Sequence, residues 1–542
     1  MRKSESIFAI FLFCFVLACG CGGRTAPENP VVECYTLSAK ASGCLEKFDN
    51  IYNLSIVSND DNAYKAEYNA GFIQGALQKE RIIASRDNLL NIWYYNDPNH
   101  NFPTRLPPTT AELDLMQSLL LENFNYTMDY IKTTPDSDLA SKMRRLLYRM
   151  AGVYNGVILN APKEIPFDET WYPSFIPSDL QLNYGTATFS MMDLYFINLY
   201  SDLTYVIPPK LGLNAKTDSE KCSAFVKKTQ DDIIITHNTW NGFFAQTMAL
   251  NLYVNGDFVS ANIRMPGNLS SMTDFGFNNK GIMFNETTTP NPNSQPEIDA
   301  LWMFWRSAVA EQFADSLDSF YNYIALEPSG TYMNGYMIAD IKTGEIGLVE
   351  MSWDSFVYFK SNGAGGYSII TNPDGLSKEY DTELLTPDYI IGVNYPISTY
   401  IKNELGSKDN RPARRRQFLE MIGDVKDIES AKSLITYTDN SNPLSIYGRW
   451  DLGYGETTTP KQIPNGSIDA KALSASMIAY TLNLQGILDK NSTNTGFWMR
   501  YGTTSINGKP FIWSESLWSN AVHRFVPDVV AGEFQLLKIR IK

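Results

Sequence analysis

Between Thr110 and Ile207 apolar residues recur every three or four positions, the spacing of helices with one buried face. TTAELDLMQSLLLENFNYTMDYI places a threonine cap ahead of such a pattern, and SDLASKMRRLLYRMAGVYNGVIL and FSMMDLYFINLYSDLTYVI repeat it around the proline-rich loop NAPKEIPFDETWYPSFIPSD. The polar stretch PPKLGLNAKTDSEK then reads as a linker that ends abruptly at Cys222. Beyond it the period shortens. SAFVKK and DIIITHNTW read as paired strands, TMALNLYV and FVSANIRM as a hairpin turning on Asn255-Gly256, and GYMIADI and IGLVEMSW as another turning at Gly344. Helical spacing returns in DALWMFWRSAVAEQFADSLDSFYNYI, RRRQFLEMIGDV and DIESAKSLITY. The order predicts an α+β fold of antiparallel sheet layers covered by helices, with no internal repeat and no low-complexity segment.

Length and composition narrow the reading. With 542 residues, 44% of them apolar, the chain can bury one large core or two ordinary ones. A net charge of −14 supplies no basic field for phosphates, so no nucleic-acid partner is expected. MRKSESIFAIFLFCFVLACGCGG reads as a signal peptide over residues 1–20, and no later stretch approaches eighteen uninterrupted apolar residues. Val16-Leu17-Ala18-Cys19 resembles a bacterial lipobox, so two outcomes stay open: plain secretion, or a lipid on Cys19 that tethers the protein to a membrane. The expected location is outside the cytoplasm, whether secreted, lysosome-like, or as a periplasmic or outer-membrane lipoprotein, according to host.

Export makes the cysteines informative. Cys14 leaves with the signal, Cys19 and Cys21 lie at its end, and Cys34, Cys44 and Cys222 remain. Cys34 and Cys44 are close enough in sequence to close a disulfide loop, which leaves Cys222 as the odd thiol, either a packing residue or a reactive one. The sequence contains no GxSxG, HExxH, CxxC, GxGxxG or GxxxxGK motif, and its only histidines are His100, His237 and His523, so no metal or organic cofactor is expected. Its 59 acidic residues offer too many carboxylate pairs for any one to signal a glycosidase. A cysteine escapes the need for a histidine base if it becomes a chain terminus, because its own α-amine, with a pKa of roughly 7.7 to 8.0, then takes the thiol proton. That requires cleavage of the Lys221–Cys222 bond, where the polar linker ends.

The segment CSAFVKK…IIITHNTW resembles the opening of the phospholipase B-like family, within the N-terminal nucleophile hydrolases. FNETTTP, VNYPI, NRPARRRQ, GRWDLG, GSIDAK and HRFVPD resemble further family segments in the same order, from Cys222 to Asp528. The resemblance implies a four-layer αββα sandwich, with Cys222 as nucleophile and new N-terminus and Asn394 as oxyanion donor. His237, Trp240 and Thr287 would line the pocket, with Thr288 as the register alternative to Thr287, and Arg411 would be the site arginine, with Arg414 as its alternative. It further implies a precursor cut after Lys221 into a helix-rich chain within residues 25–208 and a catalytic chain of residues 222–542, which stay associated, the linker being 209–221. The reaction would be hydrolysis of acyl esters of phospholipids, or of N-acyl amides by the same nucleophile, on a small-molecule or lipid acyl substrate. A non-catalytic binding protein, with Cys222 as packing, is the reading from another class. Asn-x-Ser/Thr occurs at Asn53, Asn125, Asn268, Asn285, Asn465 and Asn491, about as often as chance supplies in such a sequence.

Overall fold

The computed structural model describes residues 31–95, 108–170, 172, 174, 176–210, 221–255, 257–271, 274–289, 295–407, 412–439, 441, 444–448, 464–478, 496–504, 508–516 and 518–538. The expected signal segment with Cys19, most of the expected linker, His100, Arg411 and Asn491 lie outside these residues.

The chain opens with a three-strand meander, β1 (Val31–Ser38), β2 (Ala41–Phe48) and β3 (Ile51–Ser58). Helices α1 (Ala63–Tyr95), α2 (Thr110–Thr133), α3 (Asp138–Ile158) and α4 (Met191–Lys210) follow. From residue 221 come β4 (Lys221–Lys228), β5 (Ile233–Gly242), β6 (Met248–Val254), β7 (Asp257–Arg264), β8 (Phe275–Asn278) and β9 (Ile282–Thr288). Helices α5 (Met303–Phe313) and α6 (Leu317–Ala325) lead to β10 (Asn334–Asp340), β11 (Glu345–Met351), β12 (Phe356–Asn362), β13 (Gly366–Asn372), β14 (Leu385–Thr386) and β15 (Tyr389–Gly392). The chain then runs through α7 (Thr399–Leu405), α8 (Pro412–Met421), α9 (Ile428–Ile435), β16 (Asn465–Ser474), β17 (Gly496–Tyr501) and β18 (Gln535–Lys538).

Two sheets result. Eleven strands order as β1-β2-β3-β6-β7-β8-β9-β10-β11-β12-β13, and seven as β14-β15-β4-β5-β16-β17-β18. Every pairing is antiparallel except β3 with β6, which joins the N-terminal meander in parallel to a strand almost two hundred residues on. The sheets face each other where β4 and β5 lie over β9 and β10, helices α1, α5 and α6 cover the larger sheet, and α9 packs on β5 and β16. This is an α+β sandwich, as the sequence predicts. Its core is largely one continuous body of buried apolar side chains that spans both sheets and the helices on them.

Local chemistry fixes the elements. Thr109 caps α2 in a capping box with Glu112, and the Ser137 hydroxyl accepts from the amide of Ala140 at the start of α3. The hairpin between β6 and β7 turns through Asn255 at φ 48°, and that between β10 and β11 through Gly344 at φ 72°. Two elements depart from the pattern read above: the meander β1–β3 adds strands to the part expected to be helix-rich, and α4 continues to Lys210, into the expected linker. Helices α1 and α3 cross at Gly71 and Gly75 on one and Gly152 and Gly156 on the other, where an added methyl group would strike the partner's backbone at Arg149, Val153, Tyr68 and Phe72. The glycines are there because no larger residue lets the axes approach so closely.

Cys34 and Cys44 sit directly opposite each other on β1 and β2 and form a disulfide. The side chains of Asn53, Asn268, Asn285 and Asn465 are buried, whereas Asn125 is exposed on α2, so among the described glycosylation motifs only Asn125 offers its amide to solvent in the folded chain. Among the described residues no helix is long and apolar enough to cross a membrane.

Candidate active site

Cys222 and Ser223, the second and third residues of β4, are held from both sides. The Cys222 amide donates to Asn394 Oδ1 at 2.9 Å, and the Cys222 carbonyl accepts from Arg414 Nη1 at 2.5 Å. Arg414, on α8, also donates to Asn394 Oδ1 at 3.0 Å, to Ser223 Oγ at 3.3 Å and to the Val393 carbonyl. Its guanidinium lies 4.7 Å from the Trp240 ring centroid, a cation–π stack between fully buried groups. Asn394 completes the clamp by donating its amide to the Thr288 carbonyl at 2.7 Å. It does so from the left-handed backbone region, φ 58°, which asparagine tolerates better than most residues.

Strand register places the side chains. Cys222 lies opposite Thr239, Ala224 opposite His237, and on the other edge of β5 His237 lies opposite Lys471 and Thr239 opposite Asp469. Directly opposed residues share a face, so Cys222, His237, Thr239, Asp469 and Lys471 line one side of the smaller sheet. Trp240, three residues from His237, belongs to the other side with Ser223 and Arg414.

A third element meets this face. Cys222 Sγ, a ring nitrogen of His237 and a carboxylate oxygen of Asp274 all lie within 4.8 Å of one another, and all three residues are buried. Asp274, at φ 56° in front of β8, pairs with the carboxyl of Glu286 on β9. Tyr332, itself at φ 45°, donates to Glu286 Oε1 at 2.6 Å and reaches Asp274 Oδ2 at 3.3 Å, and its hydroxyl lies 3.3 Å from Thr288 Oγ1. Three of the site's residues thus hold uncommon backbone conformations, a form of stored strain that collects at functional sites.

The electrostatics follow from burial and these neighbours. Burial, then Asp274 and Glu286, push the Cys222 thiol well above its ordinary pKa. Burial and the Lys471 ammonium hold His237 well below its ordinary value, so the ring is neutral. Burial and the neighbouring Glu286 raise Asp274 far above the carboxylate range, and burial brings Glu286 to about 7. Two carboxyls in contact share one proton between them. Lys471 donates to Asp469 Oδ1 at 2.5 Å and to Thr239 Oγ1 at 2.6 Å.

Of the residues singled out in the sequence, Cys222, His237 and Asn394 come together. Trp240 joins through Arg414. Thr287 packs beneath Gly392, where an added Cβ would meet its side chain at 2.7 to 2.8 Å, while Thr288 is the threonine tied to Asn394 and Tyr332. Arg411 lies outside the described residues, and its alternative Arg414 is the arginine at Cys222. The sequence reading missed Asp274, Glu286, Tyr332, Asp469 and Lys471. Glu286 stands inside the quoted FNETTTP and Asp469 and Lys471 inside GSIDAK, so their segments were marked but not their roles, and Asp274 carried no signal.

The family model described as Phospholipase B matches residues 52–537, which includes every described site residue. The chain belongs to the phospholipase B family. Its relatives include Phospholipase-B 81 of Drysdalia coronoides, 23% identical over 85% of this chain and 82% of that one. Phospholipase B-like 1 of Homo sapiens is 23% identical over 83% and 82%, and Putative phospholipase B-like 2 of Homo sapiens 24% over 85% and 79%. Across such distances the family assignment rests on coverage of nearly the whole chain by one model.

Proposed function

We propose that the protein is an exported hydrolase of phospholipid acyl esters, of the N-terminal nucleophile type, whose nucleophile is the Cys222 thiol after self-cleavage of the Lys221–Cys222 bond. The observation that carries this reading is the clamp on Cys222: its nitrogen and carbonyl are fixed by Asn394 and Arg414 at a strand start, with the thiol beside buried acid–base groups. A residue kept only for packing has no need of such a hold on its backbone. Membership of the phospholipase B family and the names of the relatives supply the substrate class.

In the cut protein the α-amine of Cys222 takes the thiol proton, and the thiolate attacks the acyl carbonyl carbon. The tetrahedral intermediate expels the alcohol, which leaves with that proton, and water then hydrolyses the thioester to regenerate thiol and amine. Asn394 Oδ1 already accepts from the Cys222 nitrogen, so its first role is to aim the amine. To stabilise an oxyanion as well, its amide must exchange the Thr288 carbonyl for the developing charge.

The test is the intact mass of the denatured protein, wild type beside Cys222→Ser and Cys222→Ala, with N-terminal sequencing of any fragment. The reading expects a fragment beginning Cys-Ser-Ala-Phe in wild type and none in the alanine variant. Fatty-acyl phospholipids and N-acyl amides offered to the cut protein then decide between ester and amide. One uncut chain in all three proteins, at neutral and acid pH alike, would leave a binding protein as the better account.

A further inference from the structure

Resting on the cleavage reading above, we propose that His237, faced by Asp274, is the base that cuts the chain, a role distinct from that of the α-amine which serves the finished enzyme. Before cleavage that amine does not exist. The Cys222 nitrogen is then a peptide amide, without basicity and already donating to Asn394 at 2.9 Å. The thiol proton must therefore go elsewhere.

The surrounding groups reduce the choice. Lys471 is occupied with Asp469 and Thr239 and, as an ammonium, has no lone pair to offer. Tyr332 donates to Glu286, and its phenol holds its proton strongly because burial and the neighbouring carboxyls oppose its ionisation. Asp274 is tied to Glu286 and Tyr332. His237 differs from all of these: it is fully buried, and neither ring nitrogen has a hydrogen-bond partner, the Glu286 backbone approaching outside hydrogen-bond geometry. Among the described residues a neutral imidazole with an unused lone pair, within 4.8 Å of the sulfur, is the group best placed to accept the proton.

The step balances. His237 takes the proton from Cys222 Sγ as the sulfur bonds to the Lys221 carbonyl carbon, and the carbonyl electron pair moves to oxygen. The intermediate collapses by breaking the carbon–nitrogen bond, and the imidazolium returns its proton to the Cys222 nitrogen. The product is a thioester from Lys221 to Cys222 with a free α-amine, which one water hydrolyses to the Lys221 carboxylate and the thiol. Asp274 is the positioning residue. With Glu286 it forms a carboxyl pair that keeps one proton and carries one negative charge, the counterweight to Lys471 when the imidazolium forms.

Chemical rescue tests this. Full-length His237→Gly is expressed beside wild type and Cys222→Ala, and cleavage is followed by pulse–chase and intact mass as free imidazole is added. The expected result is an uncut variant whose cleavage rate rises with imidazole concentration and whose fragment begins at Cys222. A His237→Gly chain that cuts as fast as wild type, or one that keeps the wild-type circular dichroism yet stays uncut at every imidazole concentration, overturns the base assignment. Wild type that never cuts is a different failure, that of the cleavage reading itself. For Asp274→Asn combined with Glu286→Gln, with Tyr332, Lys471 and Asp469 left in place around the ring, cleavage slows at least tenfold and the acid limb of its pH profile moves to lower pH, because the imidazolium has lost the pair's counter-charge. A uniform loss at every pH, with the limb unmoved, reduces the carboxyl pair to a structural element and overturns its part.

Discussion

The side-chain oxygen of Asn394 accepts the backbone N–H of Cys222 at 2.9 Å, joining the first turn after β15 to the second residue of β4. The bond ties the aim of the sulfur to one amide and one unusual backbone angle, φ 58°. Removing the amide leaves the Cys222 N–H and an Arg414 donor buried without that acceptor, a cost of about 1–3 kcal/mol. Asn394→Gly, which keeps the backbone angle, is expected to slow cleavage before Cys222 by about 5- to 150-fold, the rate equivalent of that cost. Asn394→Ala adds left-handed strain and is expected to lose about 1 kcal/mol more in denaturant titrations. Equal stabilities for the two variants would show that the angle costs nothing.

Arg414→Lys is expected to behave as a severe substitution. The guanidinium serves Cys222, Ser223, Asn394 and Val393 at once and stacks on Trp240, and an ammonium cannot reproduce that planar fork. Unfolding midpoints should show a loss of about 2–4 kcal/mol, in the range of buried networks that lose a member. Arg415→Lys, one residue on, keeps a partly exposed ion pair with Asp381 and Glu383 and should change stability by less than about 1 kcal/mol.

Stability should fall as pH rises from about 5 to 8. Burial raises Glu286 and Glu350 to about 7 and Glu311 to about 8, against an ordinary value of 4.5. In that window these three carboxyls bind more protons in the folded chain than in the unfolded one and outnumber the buried neutral His237, which acts in the opposite sense, so each upward step in pH favours unfolding. Calorimetric Tm values at constant ionic strength check the sign, and a Tm that climbs across the window would contradict it. Glu350 also links pH to the site, since its carboxylate accepts from the amides of Ile397 and Ser398 at 2.6 Å each, just beyond Asn394.

The helix crossing makes a packing prediction. Gly71→Ala or Gly152→Ala forces a methyl group into the facing backbone, which cannot yield as a side chain would, and should cost about 1–3 kcal/mol or more in denaturant unfolding. Gly423→Ala, where an added Cβ meets nothing within 4 Å, is the control and should be close to neutral.

Local order was legible in the sequence where short-range chemistry decides it. The cap at Thr109, the hairpins through Asn255 and Gly344, and the β4–β5 pair that presents Cys222 and His237 all follow from turn residues and spacing. The meander β1–β3 was not, because its place depends on the parallel pairing of Asn53–Ser58 with Ala249–Val254, a contact with no local signature. Asp274 and Glu286 were hidden for a related reason. A carboxylate becomes unusual only when the fold buries it beside another, and nothing in the residues next to Asp274 announces Tyr332 or Cys222 as neighbours.

The parallel seam between β3 and β6 bears on the protein's history after it is made. It stitches the segment before residue 210 into the same sheet as the segment after 221, so a break between them opens no gap in the sheet or the core. An uncut chain refolds alone. A nicked one, once unfolded, must find its other half in solution, so recovery becomes second-order in protein, and dilution after heating is expected to abolish it. A protein that cuts itself at this junction would thereby exchange reversible folding for a native state guarded by its barrier to unfolding.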